Sequence, residues 1–390
     1  MPELQDLGFG AADPRRGGRV GRVSVDVHAY AGTGLIALLL ATASLSAALT
    51  WLAIRYARRR QLLDLPGRRR SHSVPTPRGG GIAIVAAMLS GGLVLALYST
   101  PGCLLLAPPV IGLALVGWLD DHGGLSALKR LAMHTIAAAW VFGGPLLLLL
   151  VLPVSDAPSG SLGLAAFAAL VVTFAIVWSI NLHNFMDGIN GLLTLQSIFV
   201  LSALAALLMW RGAEGGALVL VAAAACAGFL PFNFPRARIF MGDVGSGVLG
   251  FAIAAAVLWQ IATPKIAAAS GLVLCSAFVT DATCTLLSRM LQGRRWYSAH
   301  REHLYQWLVR CGHSHARVVA FYMGWNLLIV LPVIGWMNRS LPPQALPLEA
   351  PSSFGIGAAI AVYALAVAVW WFGKRWCLAA VIRRGRHAAA

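Results

Sequence analysis

Apolar residues run through this chain in long blocks, and polar residues gather in short clusters between them. A helix needs ~20 mostly apolar residues to cross a bilayer. Runs of that kind cover 30–54, 81–99, 103–119, 131–152, 163–181, 192–210, 216–232, 246–262, 266–288, 316–336 and 353–373. They predict about eleven crossings by the length criterion. Trp51, Trp118, Trp178, Trp210, Trp259, Trp336 and Trp370 fall near predicted ends, where indole rings favour the interface. The pattern therefore predicts an all-α integral membrane protein, a polytopic helical bundle. It comprises a poorly ordered tail over 1–29, a membrane domain over 30–373 and a basic tail over 374–390. No apolar h-region precedes the first run, so that run is expected to act as an uncleaved anchor.

Composition agrees: 58% of residues are hydrophobic and 11% charged. The net charge of +16 could suggest nucleic acid, but its distribution argues otherwise. Arg55, Arg58, Arg59, Arg60, Arg68, Arg69, Arg70 and Arg78 follow the first run. Further cations follow the third (Lys129, Arg130), the seventh (Arg236, Arg238), the ninth and the last. The opposite side holds Arg211, Lys265, Arg339 and the tail residues Arg15, Arg16, Arg19 and Arg22. The positive-inside rule puts the richer side and the C-terminus in the cytoplasm, with the N-terminus outside. The tail arginines run against this, so either the tail is exported despite them or translation starts later. The six cysteines form no C-x-x-C pair and read as buried small hydrophobes.

Five polar segments look chemical: 64–81, 120–130, 181–191, 233–246 and 294–306. All five fall on the cytoplasmic side of this topology, which was assigned from Lys and Arg alone. That predicts one composite site on one face. A transporter or lipid flippase, the reading from another class, calls for polar groups at the bilayer midplane. A catalytically silent scaffold would not need the acids at 120, 121, 187 and 243. The densest cluster, 181–191, holds Asn181, His183, Asn184, Asp187 and Asn190 with Gly188 and Gly191. Ionisable groups at such a depth are functional hypotheses.

Asp120 and Asp121 are adjacent carboxylates that stay ionised cheaply only beside a cation or water. The competing reading is a solvated helix end, with Ser126 capping the next helix. In 240–246, a Gly-rich turn opens a helix whose N–H groups and dipole suit anions. Asp243 there could hold Mg²⁺ through one carboxylate, or simply begin a helix. Asn233 would sit across the same loop, or be an ordinary span-end amide. Arg78, in the Pro- and Gly-rich segment Ser71–Gly81, could clamp a phosphate with its planar fork, and Asp64 belongs to that turn. His300 and His303, placed on one helix face beside Arg301, could bind a diphosphate. No third ligand at zinc spacing accompanies them. Asp281 reads as a partner for Arg289 or Arg294, or as catalytic.

Together these segments resemble the polyprenyl-phosphate N-acetylaminosugar-1-phosphate transferase family. The resemblance rests on the D-x-P turn at 64–66, P-T-P-R-G-G-G at 75–81 and D-D-x-x-G-L-S at 120–126. It continues with N-x-x-N-F-M-D-G at 181–188, N-F-P-R-A-R-I-F-M-G-D-V-G-S at 233–246 and H-R-E-H-L-Y-Q at 300–306. The last piece looks most like the branch that initiates O-antigen and other lipopolysaccharide glycans. The phospho-N-acetylmuramoyl-pentapeptide transferases, the alternative within the superfamily, usually carry a triple histidine there.

The resemblance implies a bacterial inner-membrane enzyme with a periplasmic N-terminus. It joins a UDP-N-acetylaminosugar to undecaprenyl phosphate, releases UMP, and requires Mg²⁺, with Mn²⁺ as a substitute. By position, Asp243 resembles the metal ligand and Phe240 a residue flanking the uracil. His300, Arg301 and His303 resemble diphosphate-binding residues. Asp120 and Asp121 resemble the pair that activates or positions the lipid phosphate, and Asn184 and Asp187 line the site. Asn190 departs from the family, where many relatives have an aspartate near the uracil. An amide can still read a uracil edge. Single displacement is favoured over a phospho-aspartate intermediate. The sequence leaves the sugar and the oligomeric state open, a homodimer included.

Overall fold

The computed structural model describes residues 27–65, 74–151, 161–263, 265–295, 300–340 and 352–389. The expected tail up to residue 26, the His72 turn and Trp296–Ala299 lie outside them. Fourteen α-helices are present among the described residues. They are α1 (Val27–Arg59), α2 (Gly81–Tyr98), α3 (Ala107–Gly123), α4 (Ala127–Val151), α5 (Ser161–Met186), α6 (Leu192–Trp210) and α7 (Gly216–Asn233). They continue with α8 (Gly242–Ile261), α9 (Ser270–Leu274), α10 (Ser276–Leu291), α11 (Leu304–Arg310), α12 (His315–Trp325), α13 (Leu331–Arg339) and α14 (Ser352–Ala389).

Nine segments among the described residues are long and apolar enough to cross a membrane. They coincide with nine of the predicted runs, and α12 and α13 join through a π turn, Asn326–Val330, to make one of them. The run 131–152 is helical as α4. The run 266–288 is not one helix: α9 and α10 meet at Cys275. Large side chains such as Leu97, Leu128, Phe174 and Phe372 are exposed around the bundle, as a lipid-facing surface requires. All six cysteines are unpaired thiols.

The one departure from an all-helical chain is small. Leu63–Asp64 (β1) pairs antiparallel with Thr76–Pro77 (β2), so Asp64 faces Thr76. This clip holds the Arg78 loop against the end of α1.

Helix α8 is the central element, packed by α2, α3, α5 and α6. Small residues on several of its sides permit this. A side chain at Gly245 would strike the backbone of Gly81 in α2. At Gly117 of α3, a side chain would strike the backbone of Asp243 and Val244. Gly250 lies against Ser179 and Ile180 of α5, and the Ser179 hydroxyl donates to the Gly250 carbonyl at 2.7 Å. Small residues let helix backbones approach closely where burial in lipid supplies little drive. Beneath the polar end of α8, Ile84, Leu182, Met186, Leu192, Phe229, Ile239 and Met241 form an apolar floor, each no more than 1% exposed.

Candidate active site

The polar end of the bundle gathers the predicted segments. The amides of Gly80 and Gly81 donate to the carbonyls of Phe240 and Met241, at 2.9 and 2.8 Å. The Phe240 amide donates to Pro77 at 2.8 Å. The segment 77–81 therefore runs beside 240–243 and brings Arg78 to the start of α8. Arg78 binds Asp121 through Nε and Nη2, both to Oδ1. Burial opposes the guanidinium charge, but Asp121 outweighs it and holds the Arg78 pKa above its ordinary value. The same Asp121 oxygen accepts the Asp243 amide at 3.2 Å.

Asp120, one residue earlier on α3, accepts the Leu125 amide through Oδ1 and Arg130 through Oδ2 at 3.0 Å. Arg130 Nη1 also donates to Asp243 Oδ2 at 3.3 Å. Asp243 Oδ1 takes the Asn184 amide at 2.9 Å, and Asn184 reaches Ser246 at 3.1 Å. Asp187 follows α5 and accepts the Gly242 amide. Burial, and then the charges of Asp243 and Asp121, push its pKa up to about 7. Asp120, Asp121, Asn184, Asp187, Asp243 and Arg78 thus form one cluster.

Other predicted residues stand apart from it. Asn233 is 3% exposed, and its amide braces the protein. It accepts the Gly191 amide and the Thr194 hydroxyl, both at 2.9 Å, and donates to Ile239. It shapes the 187–191 turn from below and does not line the cluster. Asn190 sits at the rim, its Nδ2 on the Pro235 carbonyl and its backbone amide near His315. Phe240 is half-buried at the junction just described.

The histidines depart from the expected helix face. His303 is extended and serves as the N-cap of α11, in a capping box with Gln306, so the helix begins only after it. The rings of His300 and His303 nonetheless lie 4.9 Å apart, and His303 stacks on Phe185 at 6.1 Å. Phe185 adjoins Asn184 in the chain, and the carboxylate nearest His303 is Asp281, 3.9 Å from Nδ1. Arg301 is half-buried between the two histidines in sequence. Burial, then the neighbouring His303, lowers the His300 pKa to about 4; burial likewise lowers that of His303. Both imidazoles are neutral at pH 7.

Asp281 does not pair with Arg289 or Arg294. Those arginines bind Glu302. Asp281 is buried in α10 and accepts the amides of Leu304 and Tyr305, the Tyr322 hydroxyl at 2.7 Å and the Trp370 indole at 3.2 Å. The reason is the N-terminus of α11, whose unpaired N–H groups and positive dipole end attract the carboxylate. Asp281 thereby fixes the helix that starts at His303.

Comparisons with known proteins place the chain in a family. A family model, described as glycosyl transferase family 4, covers residues 103–261. The chain is 33% identical over 338 residues to a decaprenyl-phosphate N-acetylglucosaminephosphotransferase of Mycobacterium tuberculosis, covering 76% of this chain and 82% of that one. The chain belongs to glycosyl transferase family 4. Within this family it is also 28% identical over 268 residues to a probable undecaprenyl-phosphate N-acetylglucosaminyl 1-phosphate transferase of Bacillus subtilis, covering 65% and 71%. A phospho-N-acetylmuramoyl-pentapeptide-transferase of Desulforamulus reducens is 32% identical over 197 residues, covering 46% and 59%. The family 4 chain is thus a polyprenyl-phosphate sugar-phosphate transferase by kinship and a multi-pass bacterial membrane protein.

This family 4 site fits a divalent cation. Four carboxylates face two guanidinium groups, Arg78 and Arg130. Asp121 Oδ2 is buried and has no hydrogen-bond partner among the described residues. Gly242, at φ +74°, leaves room for it, because a side chain there would overlap that carboxylate. No ready group of three His, Cys, Asp or Glu ligands exists among the described residues.

Arg130 is the site residue that the sequence reading missed, having counted it only as a positive-inside cation. Its signal was its place on the helix that follows the D-D-x-x-G-L-S turn, capped by Ser126 at 3.4 Å from Lys129.

Proposed function

We propose that the protein transfers an N-acetylaminosugar 1-phosphate from a UDP-sugar to undecaprenyl phosphate, releasing UMP. The observation that carries this is the Asp120–Asp121–Asp243 cluster tied together by Arg78 and Arg130. A lipid phosphate and a nucleotide diphosphate repel each other until cations screen them. Phosphoryl transfer is mostly positioning and charge stabilisation.

An oxygen of the lipid phosphate attacks the phosphorus that bears the sugar. The bond to that phosphorus forms, the anhydride bond breaks, and UMP leaves. The attacking oxygen is anionic at pH 7, so no strong base is required. Arg78 and Arg130 bring positive charge to the two phosphates, and Asp120 and Asp121 hold these guanidinium groups in place. His300 and His303, neutral without ligand, donate N–H groups to the diphosphate, with Arg301 adding charge beside them. Asn190 and Phe240 lie toward the uridine. Mg²⁺, or Mn²⁺ in its place, held by Asp243 with Asp121 or Asp187, would neutralise charge building on the diphosphate.

The names of the relatives favour N-acetylglucosamine as the sugar. The initiated glycan is O-antigen or a related surface glycan, and the 300–306 segment supports that branch. The distribution of Lys and Arg supports a site facing the cytoplasm. Purified protein supplied with undecaprenyl phosphate and a panel of UDP-sugars tests the reading. UMP release with UDP-N-acetylglucosamine, lost in EDTA and restored by Mg²⁺, is the expected result. No UMP from any UDP-sugar would overturn it.

The likeness to pentapeptide transferases favours one second reading, with UDP-N-acetylmuramoyl-pentapeptide as donor. Preferential turnover of that nucleotide in the same panel decides for it. Single-turnover trapping of a phospho-enzyme on Asp120 or Asp121 would replace single displacement with a two-step route.

A further inference from the structure

One cavity has no role in the reaction proposed above. It measures about 300 Å³ and lies between α10, α11, α12 and α14. Helix α11 supplies Leu304 and Leu308, and α12 supplies Phe321 and Trp325. Ala366 and Val369 line it from α14. Phe321 and Val369 are 52% and 48% exposed, so the cavity opens onto the outer surface of the bundle. Both helices belong to segments long and apolar enough to cross a membrane, so the opening faces hydrocarbon.

Two polar groups accompany this apolar lining. Thr280 lines the cavity from α10 and is 4% exposed, and its hydroxyl has no hydrogen-bond partner among the described residues. Lys374 comes directly after Gly373, which also lines the cavity. Its Nζ lies 4.6 Å from the ring of Trp370, another lining residue, and it forms no ion pair among the described residues. Arg375 lies 5.7 Å from the Trp371 ring. Indoles and long cationic side chains together mark a membrane–water interface. From Gly373 to Ala366 the cavity therefore runs from headgroup depth into the hydrocarbon.

We propose that an anionic phospholipid occupies this cavity and steadies α11. Its phosphate lies at Lys374 and Arg375, and an acyl ester carbonyl accepts from the Thr280 hydroxyl. The acyl chain lies on Leu308, Phe321, Trp325 and Ala366. Two features select this occupant. A cation at the interface without a carboxylate partner attracts a lipid phosphate. A buried hydroxyl is costly to leave unpaired, and an ester supplies the acceptor that a plain hydrocarbon or polyprenyl chain lacks. The occupant also touches the helix capped by His303. Leu304 follows that cap, and Asp281, which accepts the Leu304 and Tyr305 amides, lines the same cavity. The binding stands apart from the proposed reaction; its effect on the UDP-sugar rests on that reading.

Two measurements on the full-length protein in nanodiscs test it. The first uses wild-type protein and phosphatidylglycerol with a photoactivatable acyl chain, with no substrate present. Labelling concentrated on α11, α12 and α14, and displaced by unlabelled phosphatidylglycerol, is the expected result. Labelling spread over all lipid-facing helices overturns the site, because the lipid is then ordinary solvent. Equal displacement by phosphatidylcholine overturns the choice of an anionic lipid. Displacement by undecaprenyl phosphate overturns the choice of an ester-linked one.

The second compares nanodiscs of phosphatidylcholine alone with nanodiscs that also hold phosphatidylglycerol. In wild type, phosphatidylglycerol lowers the KM for the UDP-sugar at least ~3-fold. In Ala366→Phe, which fills the cavity, it lowers that KM by less than ~1.5-fold. A wild-type KM that ignores phosphatidylglycerol overturns the link to α11. An Ala366→Phe enzyme that responds as wild type does overturns the site. Wild-type protein that releases no UMP in either nanodisc defeats the proposed reaction. The labelling then still decides the site, as it does if Ala366→Phe fails to fold.

Discussion

Asp243 is held from two directions, by Asn184 on one oxygen and Arg130 on the other. Asp243→Asn keeps the shape and removes the charge. It is expected to lower turnover by at least ~10²-fold in a radiolabelled-sugar transfer assay, as losing one electrostatic stabiliser does elsewhere. An active variant would remove the metal assignment. Asn190→Asp has a smaller consequence, because its bond to Pro235 is at the rim. It is expected to keep at least a tenth of wild-type activity, a loss under ~1.4 kcal/mol. Asp187 makes a prediction about pH. Its pKa in the fold is about 7, above the ordinary carboxyl value, because burial and two neighbouring carboxylates penalise its charge. A carboxyl raised in this way costs nothing when both states are protonated. Its cost grows as pH climbs from about 4, the unfolded value, and is complete above the folded value. In EDTA, the melting temperature of wild type should therefore fall relative to Asp187→Asn between pH 5 and 8. Parallel curves across that range would show that Asp187 is not the group responsible.

At the scale of elements, α11 matters out of proportion to its length. Seven residues long, it is seated by Asp281 of α10 and carries His303 at its cap. Hydrogen bonds to a charged group contribute about 1.5–3 kcal/mol each. Asp281→Asn should lower the melting temperature and raise the donor KM several-fold, with the acceptor KM unmoved. Unchanged donor KM would mean that α11 keeps its place without that carboxylate. The sequence offered Arg289 or Arg294 as partners for Asp281, and both bind Glu302 instead. Charge pairing suggested Arg289 and Arg294, whereas backbone N–H groups at a helix start leave no mark in a sequence. The histidine spacing erred for a related reason. A separation of three reads as one helix face, and the capping box that delays the helix depends on Gln306 reaching back. Nine of the eleven apolar runs, by contrast, were legible, because span length follows from bilayer thickness, whereas the break at Cys275 within 266–288 leaves apolarity unchanged.

For the molecule as a whole, the order of motifs foretold which loops meet, and the carboxylates at 120, 121, 187 and 243 do meet. What remained hidden was contact between distant segments, such as Arg130 with Asp243, since cations near span ends look alike. Orientation in the membrane is testable directly. In a cysteine-free background, Lys265→Cys should react with an impermeant maleimide from outside the cell, and Lys129→Cys only from the cytoplasmic side. The opposite pattern would turn the site outward, away from cytoplasmic nucleotide sugars. The junction of 80–81 with 240–245 has a further bearing, on inhibitor escape. There, main-chain amides and carbonyls face each other across glycines that admit no side chain without collision. A compound that reads those backbone groups, rather than nearby side chains, leaves a resistant mutant few substitutions to try.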